Sequence, residues 1–313
     1  LRALYYYTLL KTWGDVPIIL EPLTSIDPAN LSRARSTQSE VMSLIKSDLT
    51  ASLNAFGSND SFYQGSKIFW SKAATLALKG DVYIWSGNLL GGGTADYNEA
   101  KSALQQVSSA GVSLESSISD LWGVGNEDNN EFIFAMQYKR DEASNIYNSL
   151  TGRSTEINPQ FDDKGGSMID FVIAGANRYG QSEKTILLLD DNDDDRKEGT
   201  FIRLYVDDNG GAGYPAYNEP AYFGSIFNKF LGQVDGTDRI FENDVPVYRF
   251  ADVVLLLAEA KNLLGEDPSG EINQIRARAF GANYVPATHD YVNGTQTDNA
   301  NAILNERYKE FIG

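Results

Sequence analysis

Asp252 and Glu259 are the two acids whose spacing most invites a chemical reading. Seven residues are two helical turns, so on a helix both carboxylates point the same way, ~10 Å apart. That is near the separation used by inverting glycosidases. The stretch between them, Val253–Ala258, is wholly apolar. This favours burial in a helix bundle, with the acids tied to Arg249, Arg276 or Arg278. The run Asp190-Asp191-Asn192-Asp193-Asp194-Asp195 is rich in oxygen ligands, as calcium sites are. An EF-type loop beginning at Asp191 would need Gly at its sixth position and Glu at its twelfth, where Arg196 and Ile202 stand. A solvated acidic loop is the default; an irregular structural calcium on Asp191, Asp193 and Asp195 is the weaker alternative, and no other cofactor is expected. His289 is the single histidine and cysteine is absent. Multi-His metal sites, thiolate catalysis and Cys-ligated zinc are thereby excluded for these residues.

The segment from Tyr205 to Phe223 carries the clearest recognition chemistry. Tyr205, Tyr214, Tyr217, Tyr222 and Phe223 stand among Gly, Pro, Asp208, Asn218 and other polar residues. A sugar presents an apolar C–H face and a rim of hydroxyls, which rings and short polar side chains match respectively. Tyr205, Asp208, Tyr214, Tyr217, Asn218 and Tyr222 are the candidate ligand-binding residues. Trp122, Tyr147, Arg153 and Tyr179 form a second rank. The bland alternative is that the rings fasten a loop onto helices.

These residues need a scaffold. The 313 residues carry 26 Lys and Arg against 43 Asp and Glu, a net charge of −17. So acidic a chain repels phosphate backbones and anionic lipid, which argues against nucleic-acid and peripheral membrane partners. Helical periodicity runs over about residues 1–13, followed by the stop signal Gly14-Asp15-Val16-Pro17. Thr37-Gln38-Ser39-Glu40 is a capping box that opens a second helix. A third covers Trp70 to Trp85, a loop follows from Asn88 to Ala95, and Asp96 caps a fourth helix through Val107. Gly80, Ala77 and Ala100 are sites of close helix approach, as in a tetratricopeptide pair. Residues 111–244 are loop-rich, with strand candidates at Glu131–Tyr138 and Lys184–Leu189. Helical order returns over Phe250–Leu264, Ile272–Phe280 and Ala302–Phe311. The expected fold is mostly α. Tetratricopeptide-like helix pairs (1–110 and 245–313) pack in one domain against a loop-rich, ligand-facing region with few short strands.

Several stretches resemble the SusD/RagB family. Leu1-Arg2-Ala3-Leu4-Tyr5-Tyr6-Tyr7 through Gly14-Asp15-Val16-Pro17 is similar to its "RA-x-x-Y … GDVP" opening. Tyr248-Arg249-Phe250-Ala251-Asp252-Val253 through Ala258-Glu259-Ala260 resembles "R-x-ADV … AEA". Ile272 through Ala279 and Asn305-Glu306-Arg307-Tyr308-Lys309-Glu310-Phe311 are similar to "N-x-x-R-x-RA" and "ER-x-x-EF". The resemblance implies a SusD-like α–α superhelix and a glycan-binding, non-catalytic, cell-surface protein of Bacteroidetes-type bacteria. Its implied partners are a glycan and a SusC-like TonB-dependent transporter in the outer membrane. Attachment would be through an N-terminal lipid anchor absent from this chain, which looks like a core fragment of a longer family member. The rival readings are a protein-binding helical-repeat adaptor and a glycoside hydrolase.

Overall fold

Thr37 does what its sequence context predicts. Its hydroxyl accepts from the Glu40 backbone N–H, and the Glu40 carboxylate accepts from the Thr37 N–H at 2.8 Å. The structure, a computed structural model, describes residues 1–22, 32–173, 175–176 and 180–312. Seven long helices form the scaffold: α1 (Arg2–Trp13), α2 (Gln38–Phe56), α3 (Lys72–Leu89), α4 (Gly93–Gln106), α5 (Phe250–Leu263), α6 (Ser269–Phe280) and α7 (Gln296–Phe311). Neighbours in sequence pack in space from α1 to α4, and α5 then packs on both α3 and α4. The helical array therefore continues across the intervening residues. Its core holds Tyr7, Leu10, Ile45, Leu49, Leu78, Leu104 and Leu256.

Several boundaries differ from the sequence reading. The expected loop from Asn88 to Ala95 shrinks to three residues, because α3 runs on to Leu89 and α4 starts at Gly93. Asp96 consequently lies inside α4, where it accepts from Lys46 Nζ at 2.7 Å. Lys184–Leu189, expected as a strand, falls instead on a short helix, Glu183–Leu188, capped by the Ser182 side chain. α7 begins six residues before the expected Ala302, at a second capping box formed by Thr295 and Asp298.

Gly80 meets its expected role. A Cβ there would lie 2.4 Å from the Leu104 side chain, so α3 and α4 touch through the missing side chain. Gly80→Leu is expected to overpack this contact at a cost of ~1–3 kcal/mol, read as a lowered melting temperature. An unchanged melting temperature would refute the close approach.

The region between α4 and α5 is organised by short strands: β1 (Phe132–Met136), β2 (Phe161–Asp162), β3 (Phe201–Tyr205), β4 (Tyr222–Phe227), β5 (Gln233–Asp235), β6 (Asp238–Ile240) and β7 (Val245–Arg249). β1 and β7 pair antiparallel, β2–β3–β4 form a small antiparallel sheet, and β5–β6 is a hairpin. Tyr248 on β7 donates to one Asp81 oxygen and Tyr7 of α1 to the other, each at 2.8 Å. One carboxylate of α3 thus fixes both the insertion and the first helix.

Where α6, α7 and the insertion meet, charge is buried in quantity. Arg249 contacts Glu131 at 2.7 Å and Glu310 at 2.5 Å, and Arg278 bonds the same two acids. Arg196 pairs with Asp194 at 2.7 Å and Glu306 at 2.9 Å. Arg276 reaches Glu306 at 2.7 Å. Such a cluster is tolerable in a dry interior only when every partner is present.

Candidate functional site

Side chains alternate across a strand, so Phe201, Arg203 and Tyr205 of β3 face one way and Ile202 and Leu204 the other. Tyr205 is fully buried and stacks on Tyr214, with ring centroids 4.2 Å apart and planes 17° from parallel. Tyr222 meets Tyr205 edge-on at 5.8 Å, and Tyr217 meets Tyr222 edge-on at 4.9 Å. The four tyrosines singled out in the sequence are therefore brought together, but largely as a packed cluster. Tyr205 and Tyr214 belong to the core rather than to a contact surface, because both are buried and each covers one face of the other. The Tyr214 hydroxyl is also engaged, donating to Asp207. Asp208 uses one oxygen to close its own turn, accepting from the Gly210 N–H at 3.0 Å. Asn218 accepts through its backbone carbonyl from Tyr222 N–H at 2.9 Å.

The outward-facing part of the segment is made by a register change. Leu204 pairs with Gly224 and Tyr205 with Tyr222, so Phe223 is an extra residue in β4. A bulge of this kind re-aims a side chain. Phe223 is left 45% exposed. Beside it opens a cleft of about 320 Å³, bounded by Glu156, Gln181, Leu204, Tyr222, Phe223 and Ser225. Ser225 donates to the Gln181 side-chain oxygen, and the Gln181 side-chain nitrogen, though buried, has no hydrogen-bond partner. Burial raises the Tyr222 phenol above its ordinary value, so at neutral pH it remains protonated. The cleft thus offers an exposed ring, a half-buried ring and the acidic Glu156 on one rim.

Sequence reasoning missed Glu156, Gln181 and Ser225. Gln181 and Ser225 are 44 residues apart, and only the packing of the strand against the preceding loop unites them. Of the second-rank residues, Trp122 and Tyr147 are buried against Phe230. Arg153 is exposed, 4.0 Å from Glu156, and Tyr179 lies outside the described residues.

The remaining candidates are structural. Among the described residues no three His, Asp or Glu side chains, Asp191, Asp193 and Asp195 included, converge as a metal site requires. The Asp191 carboxylate instead accepts from the Asp193 N–H at 3.0 Å. Asp252 accepts from the Arg249 backbone N–H at 3.1 Å. Arg276 and Arg278, expected as partners of Asp252 and Glu259, pair with Glu131, Glu306 and Glu310 instead. Burial pushes Asp252 up to about 6 against the opposing pull of Arg249 and Arg307. Asp252 and Glu259 line two different cavities, so the pair has no common cleft in which to flank a glycosidic bond.

Residues 124–313 match the SusD family. The chain belongs to that family. Residues 1–84 of this SusD-family protein match a second description, "Starch-binding associating with outer membrane". It superposes on B. fragilis NanU with a TM-score of 0.86 and 37% identity, covering 99% of this chain and 66% of that one. SusD-like protein P25 of Formosa agariphila is 22% identical over 90% of this chain and 54% of its own length. A laminarin-binding SusD-like protein shares the fold at 22% identity and a TM-score of 0.71, over 99% of this chain and 66% of that one. The chain thus spans about half the length of P25 and just under two thirds of NanU.

Proposed function

We propose that this SusD-family protein binds a glycan in the cleft beside β4 and does not cleave it. The observation that carries this reading is the bulged Phe223, turned outward next to Tyr222 beside the cleft. A ring covers the C–H face of a pyranose while a phenol meets its hydroxyls. The starch-binding description of the family and the laminarin-binding relative support the ligand class. The division of Asp252 and Glu259 between two cavities supports binding without hydrolysis. A lipid anchor would hold the molecule at the cell surface, where it passes glycan to a TonB-dependent transporter.

Phe223→Ala is expected to weaken polysaccharide binding about tenfold, the loss of ~1–2 kcal/mol typical of a contacting ring. Its melting temperature should stay unchanged, because the ring is already half in solvent. Affinity gels with starch and laminarin, followed by calorimetry, read the effect. Native affinity in Phe223→Ala would move the site elsewhere. Release of reducing sugar would overturn the non-catalytic reading.

A further inference from the structure

Asn-Gly, the dipeptide that loses its side-chain amide most readily, occurs twice, at Asn209-Gly210 and Asn293-Gly294. Glycine has no Cβ to shield its nitrogen, so that nitrogen can attack Cγ of the preceding Asn. In the reaction the glycine nitrogen bonds to Cγ and gives up its proton. The side-chain nitrogen takes a proton and leaves as ammonia. Water then opens the succinimide to Asp or isoaspartate. Both pairs are exposed, but what holds their reacting groups differs.

Gly294 is needed where it stands, because a Cβ there would lie 3.0 Å from the Asp298 Cβ and 3.2 Å from the Tyr291 hydroxyl. The fold keeps this labile pair and restrains it through Asn299 of α7, which is 4% exposed. Asn299 Oδ1 accepts from the Gly294 N–H at 3.0 Å and from the Tyr291 hydroxyl at 2.8 Å. Its Nδ2 donates to Asn293 Oδ1 at 3.0 Å and to Asn262 Oδ1 at 3.1 Å. A carboxamide can make four such bonds, and here all are made. The attacking nitrogen and the side chain it must attack are therefore tied to one buried group. An amide oxygen is also too weak a base to take the proton. At the other pair the Gly210 N–H donates to the Asp208 carboxylate at 3.0 Å, and Asn209 Nδ2 donates to the Gly213 carbonyl at 2.6 Å. A carboxylate can take that proton and pass it to the departing nitrogen. These bonds lie within one exposed turn, and such turns open at little cost.

We infer that the chain deamidates at Asn209, with Asp208 as the base, and that Asn299 guards Asn293 against the same reaction. The 313-residue chain is aged in mildly alkaline buffer, beside a sample unfolded in urea, and both pairs are followed by site-resolved mass spectrometry. In the folded chain Asn293 should lose its amide at least about tenfold more slowly than in urea, and more slowly than Asn209. Asn299→Ala should remove most of that protection and leave the Asn209 rate where it was. Asp208→Asn keeps the shape of the turn and should slow Asn209 severalfold without changing Asn293. The Asn209 rate doubles as a gauge of general opening. If Asn299→Ala speeds both sites together, Asn299 acts only through stability and the guard is refuted. Asn293 reacting as fast in the folded chain as in urea, or staying protected without Asn299, also overturns the inference. An Asn209 rate indifferent to Asp208→Asn removes Asp208 as the base.

Discussion

Glu310→Ala is expected to cost about 3–5 kcal/mol of stability, the penalty for removing one partner from a buried ion cluster. Glu310 is contacted by both Arg249 and Arg278, and Arg196 lies 3.7 Å from its other oxygen. Its loss leaves three guanidinium groups with too few acceptors in a region where Arg196 and Glu310 are almost wholly shielded. Glu310→Gln should lose nearly as much, since the amide keeps the shape and drops the charge. Urea denaturation followed by circular dichroism measures both, and a loss below about 1 kcal/mol in either would mean the cluster is not what closes this end of the fold. The pH profile follows from the same residues. Burial alone would raise the Glu310 carboxyl, but Arg278, Arg249 and Arg196 outweigh it and hold the group well below the usual range. Its contribution is present above the unfolded value of about 4.3 and is lost as pH falls below it. Asp252 has the opposite sign: raised to about 6, it disfavours the folded state at neutral pH and this cost is relieved as pH drops. Stability should therefore hold or rise slightly from pH 7 to about 5 and fall below about 4.

Tyr205→Ala is expected to destabilise the insertion by about 3–5 kcal/mol, as buried aromatic truncations do. It removes the ring on which Tyr214 stacks and against which Tyr222 sets its edge. Tyr205→Phe should be near neutral, because the buried hydroxyl has no hydrogen-bond partner to lose. Melting temperatures of the two variants decide the matter. A mild Tyr205→Ala would show that the tyrosine cluster is not a core, and a severe Tyr205→Phe would reveal a partner for the hydroxyl.

How far the sequence foretold this depends on the range of the forces involved. α2 was legible because its capping box is a four-residue event, and Gly80 because small residues on a helix face have few other uses. The helix at Glu183–Leu188 was not, since a short apolar run has no period long enough to choose helix over strand. Ser182, a possible cap, was the one local cue. In the candidate site, composition singled out the segment but not which of its rings is turned outward. That Phe223 faces solvent is settled by a single inserted residue in the pairing of β3 with β4, a register fact that no spacing within one strand records. Gln181 and Ser225 meet only through tertiary packing. The acids Asp252 and Glu259 drew attention by their helical spacing, whereas the true partners of the arginines, Glu131, Glu306 and Glu310, lie on other elements.

That arrangement of ion partners has a temporal side. A chain emerges from the ribosome in order, and Arg196, Arg249 and Arg278 are all made before Glu306 and Glu310. Until α7 is available, Arg249 and Arg278 have only Glu131 between them, and Arg196 has only Asp194. Burying them early would strand charge in a dry interior. Closing the junction of insertion and scaffold with its charges paired therefore requires α7, the last helix to be made.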